Sequence, residues 1–296
     1  MKDTVTETLV GRSVARVEDP ALLSGHGRYI DDLPVAPGTL ALAFLRSPHG
    51  HADIRSIDTA EAARGPGVVA VITGQDVAAR TRSMTVGVKA DVECWPMAVD
   101  RVRYVGEPLV MVVATDRYLA EDAADLVAVD YGPLGSVVDP VAALSDDAPV
   151  LHPSLGGNLI NERRFRYGDP EAAFEAASSR IGIDVTYPRS ACTPIETYGV
   201  IANYEPGEDA YDVTANFQGP FSIHAVVARS LNVPGNRLRL RTPRFRWLVR
   251  DQAGRLSLHD PRGHRRAHRG RASQVDRGPA GASVCQRFCD QSADPD

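Results

Sequence analysis

The chain has 296 residues, 43% of them hydrophobic, and a formal net charge of −5. That length is enough for two domains with real cores, and the composition excludes a low-complexity or fibrous protein. No apolar run reaches membrane-spanning length, the N-terminus lacks a signal peptide's basic and apolar regions, and four cysteines (Cys94, Cys192, Cys285, Cys289) make no disulfide framework, so the body is expected to be cytoplasmic.

The mild net charge hides an asymmetry. Residues 1–243 carry 22 basic and 32 acidic side chains, whereas residues 244–296 carry 11 Arg, no Lys, no Glu and 6 Asp. A shift this sharp marks a basic tail or a segment of different origin.

In chain order, residues 1–10 read as a loose terminus. Glu18-Asp19-Pro20 starts a short helix, and Gly25 and Gly27 then break the chain. Arg28 with Asp31-Asp32 reads as a packed loop with solvated carboxylates, because two adjacent acids do not build a metal site unaided. Thr39 to Arg46 is a strand. His49 and His51 follow in a turn, and without a third ligand nearby they read as structural rather than metal-binding. Ile54 to Ile57 is extended, Asp58 caps a short helix to Arg64, Gly67 to Thr73 is a strand, and a helical turn starts at Gly74. Residues 81–95 read as a surface loop.

Gly106-Glu107-Pro108 is the turn into Leu109 to Ala114, an unbroken Val-rich run expected to be covered on both faces. Thr115 or Asp116 caps the next helix, whose expected buried stripe is Tyr118, Leu119, Ala123, Leu126 and Val127. Val127 to Tyr131 turns extended again, so the spacing predicts a compact strand–helix–strand crossover. Pro140 to Leu144 is a brief helix. Residues 145–158, rich in Asp, Pro and Gly, read as a linker, and the expected domains are 1–150 and 151–243.

In the second half Asp169 caps a helix with Pro170 at its first position. Arg180 to Tyr187, Gly199 to Tyr204 and Tyr211 to Asn216 are expected strands. Phe217-Gln218-Gly219-Pro220 then joins a strand to a helix, Phe221 to Leu231, and Asn236 to Thr242 closes as a strand. Loops at strand ends that feed helices are where α/β proteins bind ligands. Taken alone, Gln218 is equally suited to capping that helix.

Several of these stretches together resemble one family. Tyr104-Val105-Gly106-Glu107-Pro108, Ala120-Glu121-Asp122-Ala123-Ala124, Val129-Asp130-Tyr131, the opening Gly25-x-Gly27-x-Tyr29-x-Asp31-Asp32, and Arg46-Ser47-Pro48-His49-x-His51-Ala52 resemble the hammerhead domain of the molybdenum hydroxylase large subunits. These are the xanthine dehydrogenase, aldehyde oxidase and aerobic carbon monoxide dehydrogenase subunits. From about Gly11 to Pro243 the resemblance implies an α/β (α+β) fold: a hammerhead domain, then the beginning of a molybdopterin-binding domain. It matches Gln218 to a glutamine whose side chain approaches the molybdenum centre, with Phe217 and Gly219 flanking it. It further implies a molybdenum–molybdopterin cofactor, in its cytosine dinucleotide form, and partner subunits carrying FAD and a 2Fe–2S cluster. The implied reaction is oxidation of a heterocycle, an aldehyde or carbon monoxide with water as the oxygen source. No catalytic residue and no metal ligand is assigned within this chain.

After Thr242-Pro243 the family continues into a turn, Gly-Gly-x-Phe-Gly-x-Lys, that suits a pterin and its pyrophosphate. This chain reads Arg244-Phe245-Arg246-Trp247-Leu248-Val249-Arg250-Asp251-Gln252 instead. Displaced by one base, codons for those residues permit Asp-Ser-Gly-Gly-Ser-Phe-Gly-Ile-Lys, and Trp247-Leu248 forces its glycine whichever leucine codon is used. Ala272 to Pro279 likewise permits Pro-Val-Lys-Trp-Ile-Glu-Asp-Arg. Residues 244–296 are therefore expected to be an out-of-frame, disordered tail, and the polypeptide as it stands a truncated, inactive member of the family. The alternative is a non-catalytic binding or assembly module. On that reading His264-x3-His268 and Cys285-x3-Cys289 imitate zinc spacing, and Arg262, Arg265, Arg266, Arg269 and Arg271 imitate a nucleic-acid patch. In zinc fingers Cys normally precedes His, and nothing between these pairs would build a finger's core, so zinc and nucleic acid rank below accidental translation.

Overall fold

A computed structural model describes residues 10–84, 92–187, 196–216 and 219–242, together with the backbone of 273–275. In chain order the main elements are α1 (Asp19–Leu23), β1 (Leu40–Arg46), β2 (Ala52–Asp58), β3 (Val68–Thr73), α2 (Gly74–Ala78), β4 (Arg101–Val102), β5 (Pro108–Ala114), α3 (Arg117–Asp125), β6 (Ala128–Pro133), α4 (Pro170–Ala176), β7 (Val200–Glu205), β8 (Ala210–Ala215), α5 (Pro220–Ser230), β9 (Leu238–Arg241) and β10 (Ser273–Val275). They form a seven-stranded sheet, β3-β5-β1-β10-β7-β8-β9, and a three-stranded sheet, β4-β2-β6. This is the expected α+β architecture.

β5 organises the first half. Every residue from Pro108 to Ala114 is buried, as a Val-rich run without alternation requires. Its side chains divide between two cores. Met111 and Val113 join Leu40, Leu42, Ile72 and Val213 on one side. Leu109, Val110, Val112 and Ala114 join Val102, Ala120, Ala123 and Ala124 on the other. The turn feeding β5 is held by its own carboxylate. Glu107 is buried and its Oε2 accepts the Arg103 N–H at 2.6 Å, while the Arg103 Nε donates to the Leu151 carbonyl at 3.0 Å.

Three expectations are corrected. The strand–helix–strand of 109–131 is not a crossover within one sheet. β5 lies in the large sheet, whereas β6 pairs antiparallel with β2, from Ala52↔Pro133 to Asp58↔Ala128. The cause is visible in β6 itself, which is largely exposed or half-exposed and suits an outer three-stranded ladder. In α3 the stripe is Ala120, Ala123, Ala124 and Val127, with Leu119 partly buried, while Tyr118 is 70% exposed and Leu126 is also exposed. Asp116 starts this helix by accepting the Tyr118 and Leu119 N–H groups, which sets that phase and turns Tyr118 outward. Finally, 181–187 forms no ladder. Ile181, Ile183, Val185 and Tyr187 alternate as a strand's one face would, but all are exposed and no strand pairs with them among the described residues.

The expected linker is ordered at one point: Asn158 Oδ1 accepts the Leu151 N–H, and its Nδ2 donates to Ala143 and Pro149 carbonyls, each at 3.0 Å. The first core includes Tyr211, Val213, Val227 and Leu238 from the second half. The opening motif also reaches across. Ile30 is fully buried, its N–H donates to Glu196 Oε1 at 2.8 Å, and its side chain packs where a Cβ on Gly199 would sit. Of the segment expected as a structureless tail, residues 273–275 form β10 between β1 and β7.

Candidate functional site

The site lies at the carboxyl end of β8. β8 alternates Tyr211, Val213 and Ala215 into the core, pairs with β7 on one side, and runs parallel to β9 on the other, from Tyr211↔Leu238 to Thr214↔Arg241. Parallel neighbours need a crossover, and α5 is that crossover. The chain therefore passes from β8 through residues 216–219 into α5, the arrangement in which α/β proteins place ligands.

Each flank of this turn is fixed. Asn216 is buried; its Oδ1 accepts the Gly199 N–H at 2.9 Å and its Nδ2 donates to the Thr197 carbonyl at 2.7 Å. Gly219 sits at φ 62° and ψ 60°, the left-handed region that an L side chain enters at a cost. A Cβ there would also stand 3.2 Å from Ser222 Oγ. Pro220 opens the helix, and among the described residues no side chain caps it. The far end of the unit is tied down by His224, whose Nε2 lies 2.9 Å from the Leu238 carbonyl oxygen, and by Ser230, whose Oγ donates to the Arg82 carbonyl at 2.8 Å.

Polar atoms gather beside this turn. Thr197 Oγ1, next to the carbonyl that Asn216 holds, and Thr242 Oγ1, just past β9, are buried without a hydrogen-bond partner among the described residues. The Tyr198 hydroxyl is also buried and, among the described residues, unpartnered, and burial pushes its phenol well above the ordinary value of 10.0. The arginines around β9 are already engaged by acids: Arg237 with Asp209, and Arg241 with Asp212 at 2.6 Å. They do not supply free positive charge to the turn.

Of the three residues expected to meet the cofactor, Gly219 is placed at the start of α5, and Phe217 and Gln218 lie outside the described residues. Cys192, the arginine-rich stretch 262–271, His264, His268, Cys285 and Cys289 also lie outside them. His51 is a buried structural residue, with Nδ1 2.7 Å from the Gly135 carbonyl oxygen, and His49 meets the Tyr131 ring edge-on. Asp32 accepts the Tyr29 N–H within its own turn, as a packed loop should. Among the described residues no three His, Cys, Asp or Glu side chains converge as a metal site, and no helix is long and apolar enough to cross a membrane. Sequence reasoning missed Asn216 and Thr197. The signal for Asn216 was an amide directly ending an alternating apolar strand. It also missed a cavity of about 140 Å³ in the first half, lined by Cys94, Trp95, Arg103, Glu107 and His152.

Two family models match the chain. One, described as "Aldehyde oxidase and xanthine dehydrogenase, a/b hammerhead domain", covers residues 24–135. The other, "Molybdopterin cofactor-binding domain", covers residues 151–245 and so contains the β8–α5–β9 site. The nicotine 6-hydroxylase large subunit of Paenarthrobacter nicotinovorans is 35% identical over 243 residues, which is 81% of this chain and 30% of that protein. The carbon monoxide dehydrogenase large chain of Afipia carboxidovorans is 34% identical over 77% of this chain and 30% of its own length. Quinoline 2-oxidoreductase from Pseudomonas putida 86 superposes with a TM-score of 0.77 at 31% identity, covering 93% of this chain and 35% of that one. The chain thus spans about a third of the length of the relatives it matches. By its two matched domains, its fold and these relatives, the chain belongs to the family of molybdopterin-binding large subunits that includes xanthine dehydrogenase, aldehyde oxidase and carbon monoxide dehydrogenase.

Proposed function

We propose that residues 1–243 are the N-terminal part of the catalytic large subunit of a cytoplasmic molybdenum hydroxylase, in two units meeting near residue 150. Its substrate class is a heterocycle, an aldehyde or carbon monoxide. It works with an FAD-binding medium subunit and a 2Fe–2S small subunit. The observation that carries this reading is the β8–α5–β9 unit inside the cofactor-domain match. Among the described residues, a helix start with no side-chain cap, a left-handed Gly219 and unpartnered buried hydroxyls on Thr197, Tyr198 and Thr242 fall within that match. Those features fit a polar, anionic cofactor. Gln218, with Phe217 and Gly219, would hold it, and Asn216 sets the start of their turn. When bound, the molybdenum–molybdopterin cytosine dinucleotide supplies the redox chemistry, with water as the source of oxygen.

The polypeptide as it stands is inactive on this proposal, because the residues after Pro243 do not spell the glycine turn that the displaced frame permits. The family match ends at residue 245, beside that break. The test is to delete one base after the Pro243 codon and to express both genes with the two partner subunits. The frame-restored protein is expected to retain molybdenum and a pterin dinucleotide and to reduce a dye; the protein as given is expected to do neither. Equal molybdenum content and equal dye reduction in the two would overturn the proposal.

A further inference from the structure

The cavity of about 140 Å³ takes no part in the β8–α5–β9 site, since none of the residues lining it belongs to those elements. It draws its walls from both matched units. Most of its lining falls between residues 93 and 107, inside the hammerhead match, while Leu151 and His152 open the cofactor-domain match. Ligand sites favour such junctions.

The walls are held from behind. The Cys94 carbonyl accepts the Met84 N–H at 2.7 Å, and the Ala98 N–H donates to the Pro108 carbonyl at 2.8 Å. The Leu151 N–H donates to Asn158 Oδ1, and the Leu151 carbonyl accepts the Arg103 Nε–H, each at 3.0 Å. A space fixed in this way exists before any ligand arrives, so filling it costs little reordering.

Size sets the first limit on an occupant. An apolar cavity of about 150 Å³ holds one benzene, so this one takes a single ring. Two aromatic side chains, Trp95 and Tyr104, are among its lining. Charge sets the second limit. Glu93 and Glu107 bring two carboxylates, and Arg103 brings one guanidinium. That guanidinium is already engaged: Nε and Nη1 donate to the Leu151 and Arg101 carbonyls, and Nη2 lies 3.9 Å from Asp100. Glu107 is buried, so water screens its charge weakly. Aromatic rings and carboxylates in one partly enclosed space favour a cation over an anion. Among the described residues no three His, Cys, Asp or Glu side chains converge on a metal, which points to an organic cation.

We propose that this cavity binds a single-ring aromatic cation, a protonated ring of the pyridine or imidazole type. The site stands apart from the proposed function, which uses none of these residues.

The test uses the full chain carrying Trp247→Phe, which leaves Trp95 as its single tryptophan. The probes are 1-methylpyridinium, its neutral isostere toluene, and the anion benzoate. 1-Methylpyridinium is expected to quench Trp95 saturably, with a Kd of about 1 mM or tighter. Toluene and benzoate, measured as competitors, are expected to bind about tenfold more weakly or not at all. Cys94 gives a second, local readout, because it is the one cysteine of the tryptic peptide 90–101. At ten times its Kd, 1-methylpyridinium should slow alkylation of Cys94 by iodoacetamide about fivefold or more. Val99→Phe fills the cavity and should abolish both effects. Glu93→Gln, at an exposed position, should weaken binding by about threefold. If Val99→Phe fails to fold, Glu93→Gln and the Cys94 protection decide. A linear, collisional quench, an unprotected Cys94, equal binding of benzoate or toluene, or unchanged binding in a folded Val99→Phe would overturn the site. Any of these leaves the proposed function standing, and a gene without a displaced frame leaves the cavity result standing.

Discussion

Replacing Asn216 by alanine tests how the candidate site is built. The carboxamide is 1% exposed and makes two hydrogen bonds, from the Gly199 N–H and to the Thr197 carbonyl. Alanine leaves both backbone groups behind. Gly199 is buried, so its N–H bears the full penalty of an unmade bond, about 1–3 kcal/mol. Thr197 is half-buried and recovers part of its loss from water. The expected destabilisation is about 2–4 kcal/mol, large against the few kcal/mol by which domains are stable. Urea unfolding followed by circular dichroism reads it as a lower midpoint at unchanged slope. Asn216→Asp separates the two bonds. It keeps an acceptor for Gly199 but sets a carboxylate oxygen against the Thr197 carbonyl, so at neutral pH it costs at least as much as alanine. A midpoint for Asn216→Ala within about 0.5 kcal/mol of the parent would refute the claim that this amide stitches the turn to the strand before it.

Three further outcomes are expected. The Tyr198 phenol, raised by burial above its ordinary 10.0, stays protonated in the folded chain after exposed phenols have ionised. Its folded value lies above its unfolded one, so stability is unaffected below about pH 10 and falls as pH rises beyond it; Tyr198→Phe should abolish that alkaline loss in a pH series of melts and cost nothing at neutral pH. Gly74→Ala would set a Cβ 1.8 Å from the Ala98 carbonyl oxygen, a backbone atom that cannot swing away; thermal unfolding should show a loss of about 1–3 kcal/mol or more, and an unchanged melt would contradict the packing of α2 on the 98–99 segment. In the frame-restored protein Gln218→Ala should keep its molybdenum yet lose about tenfold or more in dye reduction, whereas a residue that only capped α5 would cost stability and leave turnover alone.

Much of the architecture is legible where local pattern and burial agree. The run Leu109–Ala114 reads as a strand covered on both faces, and it is one because two separate cores divide its side chains. Asp169 caps α4 by accepting the Ala172 N–H, as the Asp-Pro pair predicts. The β8–turn–α5–β9 order is also plain, since its period switches from two to helical and back. What stays hidden is set by distant partners. Nothing local in Val127–Tyr131 says that its ladder is β2 rather than the large sheet. The alternation of Ile181, Ile183, Val185 and Tyr187 predicts a strand, and the described residues offer it no neighbour. Nothing local marks Glu196, yet its carboxylate accepts the Ile30 N–H across 166 positions. Of the candidate site, the resemblance points to the turn that ends at Gly219, with Gln218 outside the described residues; the Asn216 amide and the Thr197 hydroxyl, unpartnered among the described residues, were not legible, because they matter only once the strands are side by side.

The most direct test is to sequence the gene from the codons for Leu240 through Asp251 and onward, reading all three frames. The account predicts that a frame displaced by one base after Pro243 spells Asp-Ser-Gly-Gly-Ser-Phe-Gly-Ile-Lys, passes through Pro-Val-Lys-Trp-Ile-Glu-Asp-Arg, and stays open with family-like sequence. If no displaced frame continues in that way, residues 244–296 are the authentic sequence, and the proposed enzyme is contradicted.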